Sequence, residues 1–119
     1  MKGRYVRRVA DLLLADIELQ RLTNESCYME SARRMVEILQ AEQGADGLWP
    51  TDGYSRMVLQ GVPPAALALY CRNFPETGVT KIALSVLQKW TSGIKALSRN
   101  PFGIVPFAKD VFFCPRFKP

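Results

Sequence analysis

The chain has 119 residues, 48% hydrophobic and 23% charged, with a formal net charge of +5; this balance suits one domain that buries about two thirds of its unfolded surface and excludes a disordered or fibrous polypeptide. Histidine is absent, and three cysteines, Cys27, Cys71 and Cys114, stand far apart without CxxC spacing. That excludes Ser-His and Cys-His catalysis within this chain, argues against a metal site and suits buried, reduced thiols.

No run approaches the ~18 apolar residues of a membrane span. The basic start "MKGRYVRR" leads only to Leu12 through Ala15 before Asp16 interrupts the run, so a soluble, cytoplasmic chain without a signal peptide is expected. Lys2, Arg4, Arg7 and Arg8 cluster at the N-terminus, but Arg33 and Arg34 stand at helical spacings from Glu30 and Glu37. Such spacing predicts local ion pairs on a solvated helix face rather than a nucleic-acid surface.

From Tyr5 to Leu22, Val6, Val9, Leu13 and Ile17, widened by Leu12 and Leu19, recur at intervals of three and four, the signature of one helix face. Asp16 lies at the edge of that stripe, where reaching solvent or a neighbouring arginine is the expected role for a carboxylate and a buried catalytic acid is the lesser alternative. Thr23 and Asn24 suit the end of this helix and the cap of the next, whose stripe is Tyr28, Ala32, Met35, Val36 and Leu39. The short connection makes an antiparallel hairpin over about 5–42.

Between Gly44 and Gly61 the periodicity lapses. Long ordered connections of this kind are often functional. Within "QGADGLWPTDGY", Asp46-Gly47 is a turn dipeptide, Gln43 is placed to bond loop backbone, and Trp49 has two roles open to it. It folds back over the end of the second helix, or it offers an aromatic face on which a pyranose ring stacks. The turn does not require Asp52 or Tyr54, so candidate ligand-binding residues are Asp46, Trp49, Asp52 and Tyr54.

Pro63 and Pro64 suit the start of a third helix, which "PETG" ends. A fourth helix, capped by Thr77 or Thr80, carries the stripe Ala83, Val86, Leu87, Trp90, Ile94 and Leu97, with Gly93 beside it permitting a close approach. The tail over 100–119 has four prolines and five phenylalanines and no period; its apolar residues need a surface to dock on. The reading is all-α: hairpin one over 5–42, a loop over 43–62, hairpin two over 63–99 and an irregular Pro/Phe-rich tail, in a single unit over 1–119.

The segment "ELQRLTNESCYMESARRMVEILQAEQGADGLWP" resembles a hairpin of the six-hairpin (α/α)6-toroid glycosidases, with Glu18, Leu19, Thr23, Tyr28, Ala32, Gln43, Asp46, Gly47 and Trp49 at matching positions. "LSRNPFGIVPF" resembles the Asn-Pro-Phe-Gly segment of cellulase-like enzymes of glycoside hydrolase family nine. Gln43, Gly47 and Trp49 also fit the Gln-Trp repeat of terpene cyclases, another α/α toroid.

The glycosidase resemblance implies a carbohydrate ligand, no cofactor and no metal. It also implies a portion or shortened relative of a larger toroid, which has roughly twelve helices. Glycoside hydrolysis uses two carboxyl groups, about 5 to 5.5 Å apart for retention and about 6.5 to 9.5 Å apart for inversion. In the family these lie well before and well after the Asn-Pro-Phe-Gly segment, so no residue here inherits a catalytic role. Partners are then carbohydrate together with further hairpins or a homo-oligomer, with neither nucleic acid nor membrane expected. Two other readings stand beside it: a stand-alone helical module binding protein through its hairpin faces and tail, and a small enzyme working through the 44–61 loop.

Overall fold

A computed structural model of the chain describes residues 2–50, 56–75 and 77–98. Four α-helices account for most of them: α1 (Lys2–Thr23), α2 (Ser26–Glu42), α3 (Arg56–Asn73) and α4 (Gly78–Ser98). The all-α fold and its two helix hairpins agree with the sequence pattern, while the tail over 100–119 lies outside the described residues.

The stops and starts have local causes. Asn24 takes a left-handed φ of 56° and its amide donates to the Gln20 carbonyl, which closes α1. Asn24 does not cap α2, however; Glu25 occupies that position, without a capping side-chain bond. Thr23 also acts at this junction, donating its hydroxyl to the Leu19 carbonyl and accepting from the Glu25 amide. At α4, Thr77 is the cap, accepting the Thr80 amide at 3.1 Å.

Helix α3 corrects the expected boundary at residue 63, because it begins at Arg56 and carries Pro63 and Pro64 inside it. Two interior prolines remove two amide donors from the helical ladder, a costly arrangement for an isolated helix. Burial offsets that cost here. Pro63 is fully buried, and Gln60 in the turn before it is 4% exposed, with Nε2 donating to the Trp49 carbonyl at 2.9 Å. The loop is correspondingly shorter than 43–62.

Helix α1 packs on α2 and α3, and α4 packs on α3 and α2, leaving α1 and α4, and likewise α2 and α3, as the diagonals. A bundle in simple sequential order would instead press α2 on α3. The two hairpins therefore lie side by side, α1 against α3 and α2 against α4, as neighbouring repeats do in stacked α/α architectures. The core between them joins Val6, Leu13 and Ile17 of α1, Val36 and Leu39 of α2, Leu67 and Tyr70 of α3 and Val86 of α4.

Polar side chains do not follow the stripes as simply. Asp16 is buried rather than solvent-facing, and it accepts a 2.6 Å hydrogen bond from the Ser31 hydroxyl of α2 instead of meeting an arginine. Leu12 and Leu19, expected to widen the core stripe, are 53% and 37% exposed. Cys27 is exposed and Cys71 half-buried, both as free thiols, so only the second approaches the buried state expected of them. Cys114 lies outside the described residues. Arg33 pairs with Glu30 and Glu37 as the spacing predicts, and its guanidinium holds the Glu30 carboxyl below the usual carboxylate range.

Candidate functional site

The connection after α2 is built around one glutamine. Gln43 Nε2 donates to the Gly47 carbonyl at 2.8 Å and to the Val86 carbonyl of α4 at 3.0 Å, so a single amide ties loop to helix. The loop closes on itself through Gly44 and Leu48, with the Gly44 amide 2.7 Å from the Leu48 carbonyl. Asp46 Oδ1 accepts the Leu48 amide at 3.0 Å, an Asx turn that sets the following residue at a positive φ. That residue is Gly47, with φ of 86°. A side chain there would be strained by its backbone and would strike the Lys89 carbonyl of α4.

Trp49 turns inward from this loop. It is 2% exposed, and its indole N–H donates to the Leu39 carbonyl at 2.9 Å near the end of α2. Of the two roles left open by the sequence, the core role is the one occupied; no face of the ring is presented for a sugar to stack on. Asp46 stays exposed, but one carboxylate oxygen is already engaged by the turn. Asp52 and Tyr54 lie outside the described residues.

An open groove of about 670 Å³ runs between the end of α2, the 44–47 turn and α4. Asp46, Gln40, Gln88, Lys89 and Ser92 are among its polar groups, and Gly47 and Gly93 also line it. The structure thus brings Asp46 together with an amide, hydroxyl and ammonium set that the sequence reading did not single out. Their signal was present: Ser85, Gln88, Lys89 and Ser92 repeat at three and four along α4, a polar stripe on the side away from the apolar one. Attention to the apolar positions alone passes over it.

Among the described residues, no group of three or more cysteine, aspartate or glutamate side chains is placed to hold a metal ion. No described helix is long and apolar enough to cross a membrane. The groove's lining contains one carboxylate among the described residues, Asp46. The arrangement can donate and accept hydrogen bonds over a polar surface; among the described residues it holds no facing pair of carboxyl groups of the kind glycosidic hydrolysis uses. None of the known family models, curated proteins or solved structures compared with the chain matches it.

Proposed function

We propose that the chain is a scaffold of stacked α/α hairpins related to the six-hairpin glycosidases, and that its groove beside the 44–47 turn binds carbohydrate without cleaving it. The observation that carries this reading is the side-by-side stacking of the two hairpins, α1 on α3 and α2 on α4. It is the neighbour relation that a segment of an α/α toroid requires.

The groove chemistry supports the ligand class. A volume of about 670 Å³ lies within the range of small-molecule sites, about 300 to 1,000 Å³. Gln40, Gln88 and Ser92 pair donors with acceptors, which matches vicinal hydroxyls, and Asp46 adds a strong acceptor. Binding without cleavage matches the single carboxylate among the described lining residues.

Amide chemical shifts followed during titration with neutral and acidic oligosaccharides test this directly. Saturable changes at Gln40, Asp46, Gln88 and Ser92, lost in Gln88→Ala, are the expected result. Unmoved amides at millimolar oligosaccharide would overturn the ligand assignment.

A second reading, a module that binds protein through its helix faces, is favoured by the exposed apolar side chains of α1: Tyr5, Leu12, Leu19 and Leu22.

A further inference from the structure

Beyond its buried stripe, α1 carries a second periodic face. Tyr5, Leu12 and Leu19 are spaced by seven, and Arg8, Ala15 and Leu22 each follow one of them by three, so positions 5, 8, 12, 15, 19 and 22 alternate intervals of three and four. All six are exposed, and Leu22 reaches 80%. This is the 3.5-residue seam by which two helices pair, set on a 22-residue helix whose other side is committed to the core. Side chains of this size at such regular intervals go beyond scattered surface apolar residues.

Charge along the same helix selects the partner. Arg7 is paired with Asp11 in the first half of α1 and Arg21 with Glu18 near its end. Arg4 and Arg8 at one end, and Glu25 just past the other, have no ion-pair partner among the described residues, Glu25 accepting only from the Cys27 thiol. Arg4, Arg7, Arg8 and Asp11 also frame a depression of about 390 Å³ beside the Tyr5 end of the seam. The start of α1 is therefore basic, with Arg4, Arg7 and Arg8 against Asp11, while its end, with Glu18 and Arg21 paired and Glu25 adjoining at the cap of α2, is weakly acidic, so a reversed copy sets one against the other.

We propose that α1 is a self-association surface, and that a second copy of this chain docks on it with its α1 antiparallel. In that register Tyr5 meets Leu22, Arg8 meets Leu19 and Leu12 meets Ala15 of the second copy. Arg8 lays its aliphatic stem over leucine while its guanidinium stays in water. Glu25 of each copy enters the basic depression of the other, twice over, as a two-fold interface demands. A parallel pair would set Arg8 against Arg8 and bring two basic ends together. One helix pair makes a small interface, below about 1,200 Å², so association is reversible and concentration-dependent. The proposal rests on α1 and not on the groove, so carbohydrate binding and self-association stand or fall separately.

Sedimentation velocity of the full chain over a wide concentration range reads the equilibrium, and cysteine cross-linking reads the register. Monomer at low and dimer at high concentration is expected, with the dimer lost in Leu12→Glu and retained in a control at the exposed Leu84, Leu84→Glu; circular dichroism confirms that each variant folds. Arg4→Glu should weaken dimerisation at least several-fold, and adding Glu25→Arg should restore it. In a background with Cys27, Cys71 and Cys114 changed to Ser, Tyr5→Cys and Leu22→Cys should each fail to cross-link alone and should cross-link when mixed. A monomer throughout, association indifferent to Leu12→Glu as docking of the tail or of another surface would give, or self-linking of Tyr5→Cys would each overturn the proposal.

Discussion

The Asp46 carbonyl occupies the space that a side chain on Gly93 would need: a Cβ built there would collide with that oxygen and lie 3.1 Å from Leu48 Cδ2. Gly47 meets the Lys89 carbonyl in the same way from the loop side, so the turn and α4 are in contact backbone to backbone. Gly93→Ala should therefore destabilise the fold by about 1 to 3 kcal/mol, as overpacking does. Helix propensity alone predicts the opposite sign, a gain of about 1 kcal/mol. Gly61, inside α3 with nothing near its missing side chain, supplies the control, since Gly61→Ala should stabilise by about 0.5 to 1 kcal/mol. Urea unfolding of the two variants checks both signs.

Much of this contact was written in the sequence, because turn chemistry is local. Asp46-Gly47 is the turn its dipeptide suggests, Gln43 bonds loop backbone as expected, and Trp49 folds back over the end of α2, with an indole bond to the Leu39 carbonyl that the sequence did not specify. Gly93 was legible as a close approach, although what approaches is loop backbone and not another helix. Helix periodicity located α1, α2 and α4, while α3 was placed by its prolines and the "PETG" stop; the reading failed where two effects competed. Pro63 and Pro64 read as a start because local propensity forbids them inside a helix, and tertiary burial overrode that preference. Leu12 and Leu19 read as core because period alone does not distinguish one wide stripe from two adjacent ones. The side-by-side order of the hairpins depends on contacts distant in sequence, which no local pattern encodes.

Trp49 tests the core role of the loop. Trp49→Ala should cost about 3 to 5 kcal/mol through lost burial. Trp49→Phe keeps most of the apolar area but leaves the buried Leu39 carbonyl without its indole donor, for a cost nearer 1 to 3 kcal/mol. Thermal unfolding followed by circular dichroism separates the two. Equal stability of Trp49→Ala and the parent chain would remove Trp49 from the core.

Asp16 and Ser31 join α1 to α2 by a hydrogen bond between residues 15 apart in sequence. Ser31→Ala removes the donor and strands a buried carboxyl oxygen, which should cost about 1 to 3 kcal/mol. Replacing both together, Asp16→Leu with Ser31→Ala, should cost less than the sum of the single changes, because no polar atom is then left unpaired. Strict additivity in the double-mutant cycle would show that the two groups are uncoupled.

The two described cysteines differ in reactivity. Burial pushes the Cys71 thiol above its ordinary value of 9.0, and the thiolate is the reactive form. In a Cys114→Ser background a thiol reagent should label exposed Cys27 first, with Cys71 following slowly and along a rate profile displaced to higher pH. The linkage has the same sign: the fold favours the protonated Cys71 thiol, so this contribution is complete below the unfolded thiol's value and is lost as pH rises through the folded one. Coincident labelling profiles for both thiols would refute the burial effect.

Gln43 gives a pH test of the loop anchor. Its Nε2 is the donor to both the Gly47 and Val86 carbonyls, so Gln43→Glu replaces a donor by a carboxyl group of nearly the same shape. Protonated, that group still donates one hydrogen bond; ionised, it sets negative charge against two carbonyl oxygens in a half-buried position. The folded state should therefore raise the new carboxyl above the ordinary glutamate value of about 4.3. A group raised on folding contributes fully below its unfolded value and loses that contribution as pH rises through its folded value. Gln43→Glu should accordingly approach the parent's stability near pH 4 and fall behind it toward pH 7 by about 1 to 3 kcal/mol, the scale of a stranded polar group. Gln43→Ala, with nothing to titrate, should be destabilised by a similar margin at both values. Urea midpoints of the three proteins across that range check the prediction, and a constant gap between Gln43→Glu and the parent would show that residue 43 does not face the two carbonyls in solution.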